Sequence, residues 1–315
     1  MITRRSFITG LKSTKLLKKE EIFLRKYKPW GVILFSRNIK SIIQTKKLTD
    51  EIRKILKDKN YPILLDQEGG RVNRLYKFIN TTPLTSEYFG NLYLKDKKKF
   101  NIYYNIFIDK TAFLLKQIGV NINTVPVLDI RVRGSSTIIG DRSFSQSTKI
   151  INKLGNFCIN SFHKKKIGTV IKHIPGHGLA KVDSHKLTPT VNSKLNFLLK
   201  NDFSTFKNKK SFFAMTAHII FTNIDKINTT THSKKVIQLI RERIKFNNLL
   251  MSDDISMKSL KYSVKENTQK AFIAGCNLVL HCNGKHKEML DVAKNSPFID
   301  NFIIKKTSQF YKILS

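Results

Sequence analysis

The sequence predicts an α/β fold: a closed, TIM-like (β/α)8 barrel formed by one domain over residues 1–315. Three observations predict it. Short apolar, β-branched runs alternate with longer amphipathic stretches, the pattern of parallel βαβ units. About seven or eight such units follow one another with no Pro-, Gly- or Ser-rich linker between them, enough to close a barrel. Polar or charged residues end each apolar run, which is where a parallel barrel opens its functional face.

In chain order, the strand-like runs are 31–35, 63–66, 120–127, 169–173, 212–218, 249–253 and 278–281. Helix-like segments alternate with them at 18–28, 42–57, 98–117, 148–165, 195–207, 233–246, 263–274 and 287–294. The runs finish in Arg37-Asn38, Asp66-Gln67-Glu68, Asp129, Lys172-His173, His218 and Asp253-Asp254. These polar residues are far apart along the chain and are expected to meet in space.

Near the start, Arg4-Arg5-Ser6-Phe7-Ile8 superficially resembles a twin-arginine export signal. Lys12, Lys15, Lys18 and Lys19 interrupt any apolar stretch after it. No segment approaches the roughly 20 apolar residues that span a bilayer. The expectation is a cytoplasmic chain without membrane insertion.

The composition supports a large core, with 41% hydrophobic residues and 22 Phe. The net charge of +36 invites a nucleic-acid reading. However, 46 of the 58 basic residues are Lys, spread along the chain in segments such as 15–19, 95–99 and 164–166. Arg, with its planar fork, is the residue that reads base edges and grips phosphate bidentately. Specific nucleic-acid recognition is therefore not expected, and the Lys excess reads as solvated helix faces in an Ile-, Asn- and Lys-rich chain. Cys158, Cys276 and Cys282 are odd in number and lack metal-type spacing, so reduced thiols are expected, with no metal and no cofactor.

Three segments carry chemistry. The first is Lys172-His173-Ile174-Pro175-Gly176-His177-Gly178, followed by Asp183-Ser184-His185. Pro and Gly after a strand produce a sharply turning loop. In an extended stretch Asp183 and His185 point the same way, so the carboxylate can orient the imidazole and support its charged form. That is an acid/base pair. A zinc reading of His173, His177 and His185 lacks a paired-ligand motif. The second segment, Leu249-Leu250-Met251-Ser252-Asp253-Asp254, is a buried strand ending in two carboxylates. Only one of them can face the pocket centre, because neighbours on a strand point to opposite sides. The plain alternative is an N-cap for a helix beginning near Ser256. The third, Asp66-Gln67-Glu68-Gly69-Gly70-Arg71-Val72-Asn73-Arg74, suits sugar hydroxyls: a carboxylate accepts two hydrogen bonds and glycine lets the backbone approach. For Glu68 a structural ion pair with Arg71 is the preferred reading.

Six segments, in this order, resemble glycoside hydrolase family 3, and within it the bacterial cytoplasmic β-N-acetylglucosaminidases of peptidoglycan recycling. They are residues 31–35 with Arg37-Asn38, 66–71, 140–144, 172–178 with 183–185, 215–218 and 252–257. The likeness runs from about Ile8 to Cys282. Asn73, Ile174 and Ile255 depart from the usual Gln, Phe and Leu, and residues 179–182 are less typical. The resemblance implies Asp253 as nucleophile, His185 as acid/base and Asp183 as its partner. It implies that Asp66, Arg74, Arg142, Lys172 and His173 hold a non-reducing N-acetylglucosamine, with Met215 and His218 lining the pocket.

The expected function is thus a β-N-acetylhexosaminidase releasing terminal N-acetylglucosamine from anhydro-muropeptides in cell-wall recycling, through a covalent glycosyl-enzyme. The substrate's own acetamido group is a rival nucleophile. Another family 3 β-glycosidase, a phosphorylase and a non-catalytic polyanion-binding protein are the alternative functions. Relatives of this size suggest a monomer.

Overall fold

The computed structural model describes residues 3–132, 134–135, 137–182 and 187–314. Eight parallel strands close into a barrel: β1 Arg5–Gly10, β2 Pro29–Leu34, β3 Ile63–Leu65, β4 Ile122–Asn123, β5 Gly168–Ile174, β6 Phe213–Thr216, β7 Leu249–Asp254 and β8 Leu278–His281. Each strand pairs with its neighbours in sequence, and β8 closes on β1 through Phe7–Val279 to Thr9–His281. The helices around the barrel are α1 Lys18–Tyr27, α2 Ile42–Leu56, α3 Ser86–Lys95, α4 Lys97–Gln117, α5 Thr148–Lys164, α6 Leu195–Lys200, α7 Lys234–Leu239, α8 Val264–Ala274 and α9 His286–Asn295. A further helix, α10 Asn301–Tyr311, follows.

The strands are buried on both faces, and their side chains alternate between two cores. Ile8, Ile33, Leu64, Ile122, Val170, Phe213, Leu249 and Leu278 point into the barrel. Their neighbours Phe7, Val32, Ile63, Leu65, Ile171, Ala214, Leu250 and Val279 face the helices. This two-sided burial explains why the runs read as continuously apolar. Helix α10 packs against the interior cluster through Ile303 and Phe310. Its Thr307 hydroxyl accepts a 2.8 Å hydrogen bond from the Trp30 indole, and the Phe213 and Phe310 rings lie 5.2 Å apart.

The predicted barrel is present, and several elements differ from expectation. The Arg4–Ile8 stretch enters β1, whose Phe7 and Ile8 are fully buried; a six-residue strand beginning in charge carries too little apolar sequence to register. Helices α3 and α10 were not anticipated. The 120–127 run forms a strand at Ile122–Asn123 and, after a break, a single parallel bridge from Val127 to Lys172. At the break, the Asn123 side chain replaces the ladder, accepting from the Gln67 N–H and donating to the Gln67 carbonyl, both at 3.0 Å. The 195–207 helix breaks at Asn201 and resumes as a 3-10 turn over Asp202–Phe206. The 233–246 helix ends in a π-turn over Ile240–Ile244. No helix begins near Ser256; Ser263 caps α8 instead.

Candidate active site

On six of the eight strands the inward register that fills the barrel continues, two residues later, into a residue that lines its mouth. Ile33 leads to Phe35, Leu64 to Asp66, Val170 to Lys172, Phe213 to Met215, Met251 to Asp253 and Leu280 to Cys282. All six of those mouth residues line one cavity of about 300 Å³, together with Glu68, Arg74, Arg142, His173 and Asp254. Period-two alternation therefore leads from the apolar core to the cavity lining within a single step, and at Asp66, Lys172 and Asp253 that step brings in a charge.

One wall is a charge network. Glu68, 8% exposed, accepts a fork from Arg142 at 2.8 and 2.9 Å and pairs with Lys172 at 2.6 Å. Lys172 also lies 3.3 Å from Asp66 and donates to the Thr124 hydroxyl at 2.9 Å. Thr124 donates to Asp66, and Arg74 reaches the other Asp66 oxygen at 3.3 Å. Burial on its own would raise the Asp66 pKa, but Lys172 and Arg74 outweigh it and bring it to about 2. Burial is likewise overridden at Glu68, where Arg142 and Lys172 hold the carboxyl far below its ordinary value. The expected Glu68–Arg71 pair is not formed. Arg71 pairs instead with Asp141 at 2.6 Å, while Arg142 and Lys172 take Glu68.

Opposite stands β7. The Asp253 carboxylate accepts the Asp254 N–H at 2.7 Å. Burial pushes its pKa up, but His218, His173 and Lys172 pull it below the usual carboxylate range, so it is ionised at neutral pH. Asp254 accepts from the backbone N–H groups of Ser256 and Cys282, both at 3.1 Å, and thereby fixes the strand end. Met215 lines the cavity. His218, 1% exposed, stands behind the wall instead. Its Nε2 donates to the Asp254 carbonyl at 3.0 Å, and its Nδ1 accepts from the Thr231 hydroxyl at 2.7 Å. Burial lowers its pKa, in keeping with this neutral tautomer.

His173 lines the cavity and donates from Nδ1 to Asp129 at 2.7 Å. Asp129 was legible only as a polar residue after a strand; its role in orienting His173 comes from the fold. Glu68, read as merely structural, proves part of the cavity wall. Asp183 and His185 lie outside the described residues.

A buried anion among cationic hydrogen-bond donors, facing a second ionised carboxylate across a small cavity, is a site for a polyhydroxylated ring. A family profile described as "Glycosyl hydrolase family 3 N terminal domain" matches residues 7–308.

The chain belongs to glycosyl hydrolase family 3.

A β-hexosaminidase of Methylobacillus flagellatus is 32% identical over 265 residues, covering 82% of this chain and 74% of that protein. One from Thioalkalivibrio sulfidiphilus is 29% identical over 294 residues, covering 91% of this chain and 84% of that protein. Among solved structures, NagZ from Neisseria gonorrhoeae in complex with N-trifluoroacetyl-D-glucosamine superposes with a TM-score of 0.88 at 26% identity, over 100% of this chain and 90% of that one. The barrel expected from the sequence is thus the family 3 fold, and the positions matched to the family's sugar-binding residues meet at its mouth.

Proposed function

We propose that the chain, a β-N-acetylhexosaminidase of family 3, is a retaining exo-enzyme that removes non-reducing terminal N-acetylglucosamine from peptidoglycan fragments. The reading places it in the cytoplasm, acting as a single-domain monomer on anhydro-muropeptides during cell-wall recycling. The observation that carries it is the pairing of ionised Asp253 with the Asp66–Arg74–Lys172–Glu68–Arg142 network across one cavity.

In this reading the network grips the sugar hydroxyls while Asp253 attacks the anomeric carbon. His185 gives its proton to the glycosidic oxygen, the carbon–oxygen bond breaks and the aglycone leaves as an alcohol. His185, now neutral, removes a proton from water, and the resulting hydroxide displaces Asp253 to release N-acetylglucosamine with its β configuration. An unperturbed imidazole titrates near 6.5 and so serves both steps near neutrality. His173 is held by Asp129 with its ring against the sugar, and Met215 supplies an apolar contact. His218 acts from behind, fixing the Asp254 backbone.

The test is release of nitrophenol from its β-N-acetylglucosaminide, followed by trapping with a 5-fluoro N-acetylglucosaminyl donor. A covalent adduct on Asp253 is expected by mass spectrometry. Turnover without an adduct would point to the acetamido group as nucleophile, and turnover that requires phosphate would point to a phosphorylase.

A further inference from the structure

Helix α4 is apolar on two faces, and the fold covers only one of them. Phe100, Tyr104, Phe107, Ile108 and Leu115 are buried in the core between helices and barrel. On the opposite side Ile102, Ile106 and Phe113 follow one another at helical spacing over about three turns. They stand 48%, 59% and 54% exposed. A helix that is apolar all round is ordinarily buried all round, and a contiguous exposed apolar patch marks a contact surface. Tyr103, and Tyr88 from α3, widen this face. Beside it lies a groove of about 240 Å³, lined by Ile79, Leu84, Tyr88, Tyr103, Ile106 and Lys110. Among the described residues, the groove and the sugar cavity share no lining residue.

The rim of this face is cationic. Lys97, Lys98, Lys99, Lys110 and Lys116 of α4 are all exposed. The nearby acids are engaged. Asp96 caps the helix, accepting the Lys99 N–H at 2.9 Å, Asp109 pairs with Lys165 at 2.9 Å, and Glu87 pairs with Arg131. Charge complementarity therefore selects an anionic occupant, and a charge of +36 on each chain opposes a second copy. No Arg occurs in α4. Lys attracts anions as a hydrated point charge without directional recognition, and protein interfaces favour Arg while Lys is depleted in them. Lipid is a different case. Tyr and Lys place apolar bodies at an acyl boundary and keep their polar tips among the headgroups, with Ile and Phe buried between them. No helix among the described residues is long and apolar enough to cross a membrane, so the contact runs along a surface.

We propose that the outer face of α4 docks on an anionic lipid bilayer. Ile102, Ile106 and Phe113 enter the acyl boundary, the flanking lysines meet headgroup phosphates, and the groove gives an acyl chain an apolar seat. The inference stands independently of the reaction under Proposed function.

The test is flotation of the full chain with vesicles of phosphatidylglycerol and phosphatidylethanolamine, against vesicles of phosphatidylcholine alone. At about 0.1 M salt, binding to the anionic vesicles should be roughly tenfold or more the stronger. Charge alone could bring a cationic chain to those vesicles, so the deciding variant is Ile106→Ser with Phe113→Ser, which keeps every charge. It should bind them roughly tenfold more weakly or worse, and hydrolyse the nitrophenyl sugar within about twofold of wild type. Ile106→Trp supplies a depth probe, since the native Trp30 is fully buried. Lipids brominated on their acyl chains should quench the added indole. Vesicle binding unchanged in the double serine variant, or no quenching, would overturn the inference. So would a dimer in sedimentation velocity that the double variant dissociates, which would give the face to a second copy. Binding of an acidic amphipathic peptide through these residues, without vesicle binding, would overturn it too. Should the double variant not fold, the quenching measurement decides alone.

Discussion

Asp253 and Glu68 are both drawn into a cavity that by itself disfavours charge, and both stay ionised because cations or imidazoles approach them from other elements of the fold. Replacing Asp253 by Ala should lower kcat by a factor on the order of 10⁴ with little change in thermal stability, measured on the nitrophenyl sugar. Since the Asp253 pKa is depressed, the acid limit of kcat/KM should lie below the ordinary carboxylate range, while the alkaline limit follows the acid/base imidazole. Glu68→Gln leaves Arg142 and Lys172 short of a buried negative partner, so unfolding in urea should show a loss of about 3 kcal/mol. The pH dependence has a fixed sign. Asp66 and Glu68 have depressed folded-state pKa values, so their stabilisation is complete above about 5 and is lost as pH falls, for Asp66 through about 2 and for Glu68 still lower. For Asp66 this amounts to about 2 kcal/mol. An acid-unfolding curve insensitive to Glu68→Gln would contradict this assignment.

At the scale of elements, α10 lies against the interior cluster of the barrel. Phe310 is fully buried against Phe213, and Gly168 leaves room for its ring, since a Cβ there would meet Phe310. Phe310→Ala should therefore cost about 3–5 kcal/mol in chemical denaturation, while KM for the nitrophenyl sugar stays within twofold. A simultaneous collapse of KM would mean that helix and mouth are not separable. The helix was invisible in the sequence because its apolar face is short and interrupted by Lys305 and Lys306; its burial comes from the barrel it joins. Strands β2, β3, β5, β6, β7 and β8 were legible because a strand covered on both faces is apolar without interruption. Strand β1 was not, because Arg4 and Arg5 masked its four apolar or small residues.

For the whole molecule, the charge of +36 sets the long-range field. A positive field draws anionic substrates and is screened by salt. On the proposed function, kcat/KM for a carboxylate-bearing muropeptide should fall several-fold between low salt and about 0.5 M, where screening is nearly complete. Values for the neutral N-acetylglucosaminyl disaccharide should stay within about twofold. Equal salt dependence for both would remove any role of the charge in substrate capture.

The sequence alone determined the alternation of strand and helix, and with it the barrel, because each strand's burial is written in its own residues. It also determined that the chemistry-bearing residues sit at strand ends. Only the tertiary structure decided which charges pair: Glu68 chose Arg142 and Lys172 over nearby Arg71, and His218 took a place behind the cavity wall. Pairing depends on which strands become neighbours and on which way each mouth residue points. Those are properties of barrel closure, and no local stretch of the chain encodes them.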